Sequence, residues 1–121
     1  MTRKILLVTE NKGLSEYVRI SALTLTKLNV QVELVISDDL AEIRKNSTDQ
    51  NLDSIFLDLD FTKTDALELI REIRSNGLSK KKKILCFYNG ERERDEIFKA
   101  GCDSVMRTDE FKRVAANLLQ F

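Results

Sequence analysis

The chain contains no histidine, and that absence removes several kinds of chemistry at once. It leaves no Ser-His-Asp triad, no Cys-His pair, no ordinary zinc site and no histidine phosphocarrier. Cysteine is scarce as well. Cys86 and Cys102 stand in apolar or turn contexts without CxxC spacing, so both are expected to be reduced structural thiols rather than a redox pair. Net charge is missing too, because 20 Lys+Arg balance 20 Asp+Glu. General electrostatic attraction to nucleic acid or to an anionic membrane is not expected. No apolar run approaches the ~18 residues of a membrane span. Met1-Thr2-Arg3-Lys4 also runs into a short apolar stretch without a signal-peptide pattern, so the protein is expected in the cytoplasm.

What is present is 121 residues, 42% hydrophobic and 33% charged, the size and composition of one domain over residues 1–121. Ile5-Leu6-Leu7-Val8 reads as a strand buried on both faces and ends at Thr9-Glu10. Asn11 to Gly13 then turns into a helix with Leu14, Tyr17, Val18, Ser21, Ala22, Leu25 and Leu28 at helical spacing. Val30, Val32, Leu34 and Ile36 alternate with polar residues, as on a sheet edge. Asp39 and Glu42 have capping-box spacing before a second helix. A third, buried strand, Ser54 to Leu57, ends on Asp58 and leads to a helix with Leu67, Leu69, Ile70 and Ile73 facing inward, closed by Ser75-Asn76-Gly77.

A fourth strand, Ile84 to Tyr88, follows four lysines, Lys80 to Lys83, which read as a solvated run. Glu91 to Ala100 is expected to be the least anchored helix, with only Ile97, Phe98 and Ala100 to bury, stopped by Gly101. Ser104 to Met106 forms a fifth strand, and Asp109 is expected to cap a last helix carrying Phe111, Val114, Ala115 and Leu118. Strict alternation calls for an α/β domain, a flavodoxin-like (βα)5 three-layer sandwich with a parallel sheet of order 2-1-3-4-5. Ligands of such sheets bind beyond the carboxyl ends of strands one and three, where Glu10 and Asp58 fall.

The pattern resembles the receiver domains of two-component response regulators, the family that includes the chemotaxis regulator CheY. The resemblance spans the chain and rests on Lys4 to Asn11, on Asp53 to Asp58 with Asp65 to Leu69, and on Ala100 to Ser104. It implies that Asp58 matches an aspartate phosphorylated by a histidine kinase or a small donor, with Mg2+ bound by Glu10, Asp58 and Asp60, the last through its carbonyl or side chain. A carboxylate nucleophile and a metal that bridges it to phosphoryl oxygens need acids converging on one point. Two carboxylates about 4 Å apart repel by about 4 kcal/mol at an effective dielectric of 20, so such a pocket wants a cation.

The sequence departs from the family pattern at four switch positions. Thr9 replaces the first acid of the acidic pair, and Tyr88 stands in place of the small hydroxyl residue. Val105 replaces the switching aromatic, and Thr108 replaces the lysine, followed by Asp109 where the family has proline. Arg107 or Lys63 is the remaining source of a cation, although strand alternation points Arg107 away. A trans peptide is expected before Asp109.

The profile implied is an atypical or pseudo-receiver. It would be a signalling domain rather than an enzyme, capable at most of self-catalysed phosphotransfer to Asp58. Its expected partners are a histidine kinase or another protein, including a second receiver through the helix 4, strand 5 and helix 5 face, and not nucleic acid or membrane. Two functions stay open: a phosphorylation-independent protein-interaction module, and a Mg2+-dependent phosphoacceptor. A flavin carrier of the same architecture is disfavoured, because Thr9 to Gly13 lacks a phosphate-loop pattern and Glu10 and Asp58 would repel phosphate. No P-loop motif occurs.

Overall fold

The computed structural model describes residues Thr2 to Gln120. Five strands, β1 (Thr2–Val8), β2 (Gln31–Ser37), β3 (Ser54–Asp58), β4 (Lys83–Tyr88) and β5 (Ser104–Arg107), alternate with α1 (Lys12–Lys27), α2 (Leu40–Ser47), α3 (Ala66–Ser75), α4 (Arg94–Ala100) and α5 (Thr108–Gln120). All strand pairs are parallel, in the order β2-β1-β3-β4-β5. The expected architecture is the one observed. No helix is long and apolar enough to cross a membrane among the described residues.

Alternation along the strands divides the core in two. Leu6, Val8, Ile55, Leu57, Ile84 and Cys86 face α2, α3 and α4, where Ile43, Leu69, Ile70, Ile73 and Ile97 meet them. On the other face Ile5, Leu7, Phe56, Leu85 and Phe87 pack against Leu14, Val18 and Leu25 of α1 and Phe111, Ala115 and Leu119 of α5. Each fully buried aliphatic or Phe side chain contributes about 1.5–3 kcal/mol. Phe111 lies stacked on Phe87 at 4.2 Å and edge-on to Phe56 at 5.7 Å, which ties the last helix to the two central strands.

Several local readings need correction. Tyr17 and Leu28 lie outside the core, Leu28 being 68% exposed, because the buried stripe of α1 is Leu14, Val18, Ala22 and Leu25, and Leu28 follows the last residue of the helix. Tyr17 instead donates its hydroxyl to the Lys112 carbonyl, 2.8 Å away. Helix α4 starts at Arg94, three residues later than the polar run suggested, and Glu93 gives it no side-chain cap. Phe98 turns outward at 47% exposure, so Ile97 and Ala100 alone anchor that helix. Asp109 falls within the first turn of α5, which begins directly after β5 at Thr108. Asp39 caps α2 as expected, but Glu42 accepts from the Ser37 hydroxyl instead of closing a capping box. Gly77 supplies no left-handed cap, since α3 ends at Asn76 with extended backbone. Lys82 is not merely solvated; its ammonium donates to the carbonyls of Asp49 and Leu52 at 2.8 and 2.6 Å. All described peptide bonds are trans.

Arg74 performs a structural task that residue patterning does not reveal. From the last turn of α3 it donates to the carbonyls of Gly101, Lys80 and Lys82 at 2.6–2.7 Å and to the Asp103 carboxylate at 2.8 Å. Gly101 has φ +122°, and a Cβ there would lie 2.5 Å from Arg74 Cγ, so only glycine lets the turn before β5 settle on this side chain. Arg74→Ala strands several acceptors at once and is expected to lower stability by about 2–3 kcal/mol in urea unfolding. Arg74→Lys should recover little of this, because one ammonium cannot span the fork that the guanidinium covers.

Candidate functional site

The register of the central strands builds the site. Val8 pairs with Leu57, so the next residue of each strand, Thr9 and Asp58, emerge side by side at the carboxyl edge of the sheet. Asp58 is 5% exposed. A buried carboxylate must find donors or give up its charge. The Thr9 hydroxyl donates to Oδ2 at 2.7 Å and the Asp60 amide donates to Oδ1 at 2.9 Å. Burial pushes the Asp58 carboxyl above its ordinary value, and these two donors pull it partly back, while the negative charges of Asp60 and Glu10 push it up further.

Thr9 is engaged in both directions. While donating to Asp58, its oxygen accepts the Asn11 amide at 3.1 Å, and the Asn11 side chain in turn caps α1 through the Leu14 amide. The remaining acids turn to separate loops. Glu10 Oε1 accepts from the amide and, at 2.6 Å, from the hydroxyl of Thr62. That hydroxyl, then the Thr62 amide, hold the Glu10 carboxyl below its ordinary value, with further help from the charge of Lys63. Asp60 Oδ2 accepts from the Asn89 backbone and side-chain amides at 2.9 and 3.1 Å, and Arg92 lies 3.9 Å from its other oxygen.

The other three positions at which the sequence departs from the family pattern, Tyr88, Val105 and Thr108, are equally specific. Tyr88 is buried at the end of β4, and its hydroxyl accepts from Arg94 Nε at 3.0 Å, with the guanidinium 5.9 Å from the ring centre. Its partner is therefore a cation from α4 and not a carboxylate. Val105 packs at the margin of the α2-α3-α4 core. Thr108 Oγ1 is the one buried side-chain oxygen or nitrogen without a hydrogen-bond partner among the described residues. Arg107 turns outward to the Gly90 carbonyl and lies 3.8 Å from Asp109, while Lys63 pairs with Asp38 at 3.3 Å.

Glu10, Asp58 and Asp60 thus share one edge without aiming their side chains at one point. No three acids, cysteines or histidines converge in a metal-ligating group among the described residues. The donor set matches a carboxylate held by hydrogen bonds more closely than a Mg2+ cradle, which needs several oxygens in near-octahedral array.

The surrounding architecture has close counterparts. The phosphorylated cyanobacterial phytochrome response regulator RcpA superposes with a TM-score of 0.80 at 20% identity, covering 98% of this chain and 91% of that one. A response regulator from Hahella chejuensis gives 0.81 at 17% identity, with 97% and 92% covered. The fold is that of a receiver domain. A third receiver, from the Pseudomonas aeruginosa sensor histidine kinase PA1611, gives 0.76 at 18% identity with 98% of both chains covered, and that protein holds a magnesium ion in its active-site cleft. No protein-family model and no curated protein matches the sequence. Within this fold, Asp58 ends β3 and Thr9 and Glu10 follow β1 at the same edge of the sheet.

Because the Asp58 value is raised on folding, its contribution to stability is fully present below the unfolded-state value and is lost as pH rises through the folded one. Asp58→Asn should remove that loss. Relative to wild type, the variant is expected to gain denaturant resistance between acid and neutral pH, read from urea midpoints across that range.

Proposed function

We propose that this chain is a signalling domain of the receiver type that works mainly as a phosphorylation-independent protein-interaction module. The observation that carries the reading is the 2.7 Å hydrogen bond from Thr9 to Asp58. An acceptor aspartate in a phosphotransfer site presents an oxygen beside a metal; here Thr9 donates to one oxygen and the Asp60 amide to the other. Glu10 and Asp60 are each committed to loop donors. The relay groups have changed in the same direction. Tyr88 fills the interior and is pinned by Arg94, and the cation expected beside a phosphoryl group is replaced by the hydroxyl of Thr108.

A domain that does not depend on phosphorylation still needs a surface for its partner. Helix α4 fits that role, with Phe98 exposed on a short, highly charged element that lacks an N-terminal side-chain cap. Together with β5 and α5 it forms the face on which a protein partner or a second receiver would dock. Only Ile97 and Ala100 of this helix are buried, so binding can reorganise it at small cost.

The competing reading is a Mg2+-dependent phosphoacceptor, in which an Asp58 oxygen attacks the phosphorus of acetyl phosphate and acetate leaves. Incubation with acetyl phosphate and Mg2+, followed by intact mass, separates the two. No adduct is expected; a single phosphoryl adduct on wild type, absent from Asp58→Asn and without Mg2+, would establish the phosphoacceptor instead. Thr9→Asp restores an acid beside Asp58 and removes its donor, so it is expected to raise Mg2+ affinity by about tenfold or more by calorimetric titration. Equal Mg2+ affinity in both proteins would mean that Thr9 does not govern the metal.

A further inference from the structure

The sheet brings together two residues that are far apart in the sequence and lie away from the cleft. Cys86 sits in the middle of β4, and Cys102 lies in the turn between Gly101 and β5. Both are free thiols, and their sulfurs are 2.8 Å apart. The arrangement is supported from outside. Asp103 donates its amide to the Ile84 carbonyl at 2.9 Å, and its carboxylate accepts the Ile84 amide at 2.9 Å, which locks the turn onto the start of β4. Arg74 fixes the Gly101 carbonyl at 2.7 Å on the other side. The Cys102 sulfur also lies 2.9 Å from the Ser104 carbonyl and 3.4 Å from that of Ile84, so polar groups hold it on the Cys86 side.

We propose that Cys86 and Cys102 are a redox pair that closes to an intramolecular disulfide under hydroperoxide and clamps the turn between α4 and β5 to β4. The thiols differ in the way such a pair requires. Cys86 is fully buried in the strand, whereas Cys102 is 6% exposed in a turn and is the one that an oxidant reaches first. The hydrogen bond between the sulfurs draws the Cys102 thiol below its ordinary value and, together with burial, pushes Cys86 up.

The chemistry balances with hydrogen peroxide as the oxidant. The Cys102 thiolate attacks one peroxide oxygen, the O–O bond breaks, and protonation of the departing hydroxide gives water and a sulfenic acid on Cys102. The Cys86 sulfur then attacks the Cys102 sulfur, the S–O bond breaks, and the second water leaves with the Cys86 proton. Two sulfurs have lost two electrons and the peroxide has gained them. Reduction by a dithiol reverses the bond. The consequence falls on α4, whose C-terminal residues Ala100 and Gly101 lead directly into the clamped turn. This inference does not depend on whether Asp58 accepts a phosphoryl group.

The experiment uses the native full chain. Protein at neutral pH is treated with hydrogen peroxide and quenched, its thiols are counted with a maleimide after denaturation, and its intact mass and peptide map are recorded. Both thiols are expected to disappear together, leaving a monomer lighter by two hydrogens, with a linked Cys86 and Cys102 peptide that dithiothreitol releases. Amides from Ala100 to Ser104 should exchange at least about tenfold more slowly in the oxidised form.

Cys86→Ser and Cys102→Ser should each fail to show the two-hydrogen loss. If a variant does not fold, the wild-type peptide map decides alone. A native chain that keeps both thiols while the same chain in urea is oxidised would overturn the proposal. So would oxygen adducts without a crosslink, or unchanged exchange in the crosslinked protein.

Discussion

Burying the Asp58 carboxylate at the end of the central strand is the constraint from which the organisation of this molecule's carboxyl edge follows. An ionised carboxylate loses several kcal/mol or more of hydration on entering a dry interior, and must recover it from donors, from a cation or by taking up a proton. Here donors supply part of the recovery, and burial still holds the carboxyl above its ordinary value. Thr9 is placed against Asp58 by the β1-β3 register, and the same hydroxyl oxygen accepts the Asn11 amide, so the carboxylate is linked through Thr9 to the residue that caps α1. With Asp58 served by neutral groups, Glu10 and Asp60 are free to brace other loops, and they do so through Thr62 and Asn89. The side chains of Glu10 and Asp60 are therefore turned to separate loops by local hydrogen bonding.

The opposite edge of the sheet follows a different logic. Strand β5 is short, α4 is short and weakly anchored, and the turn between them has no large apolar residue of its own to bury. Its position depends on Arg74, which reaches across from α3 to three carbonyls and a carboxylate, and on Asp103, which pairs with the β4 backbone. Tyr88 and Arg94 join the two regions, since the strand that ends beside the cleft is held by a side chain from α4. An element secured by a few polar contacts is easier to reposition than one secured by a core. That places the most adjustable surface of the domain beside its exposed Phe98.

The fold was legible because burial writes a period into the chain. Strands buried on both faces read as apolar runs, an edge strand alternates, and helices repeat every three to four residues, so element order and sheet topology follow from residues 5 to 120 taken singly. Boundaries and exposures failed where local pattern competes with packing. Phe98 has the spacing of a core residue but lies on the wrong side of a seven-residue helix, and Leu28 continues the α1 stripe past the point where anything covers it. The positions of Thr9, Glu10, Asp58 and Tyr88 at one edge could be read from strand ends. Their partners could not, since Arg94, Thr62 and Asn89 come from loops and a helix whose approach the pattern does not specify.

Sequence alone determined the class of domain, the alternation of its elements and which residues end β1, β3 and β4 at the carboxyl edge. These properties depend on near neighbours and on a hydrophobic period that any single segment displays. Tertiary structure decided where each polar side chain spends its hydrogen bonds: that Thr9 satisfies Asp58, that Asp60 turns to Asn89, that Arg74 holds the Gly101 turn and that Cys86 meets Cys102. Such choices are settled by donors and acceptors brought within about 3 Å across sequence separations of 16 to 49 residues, and no local pattern encodes which of many equivalent partners will arrive first.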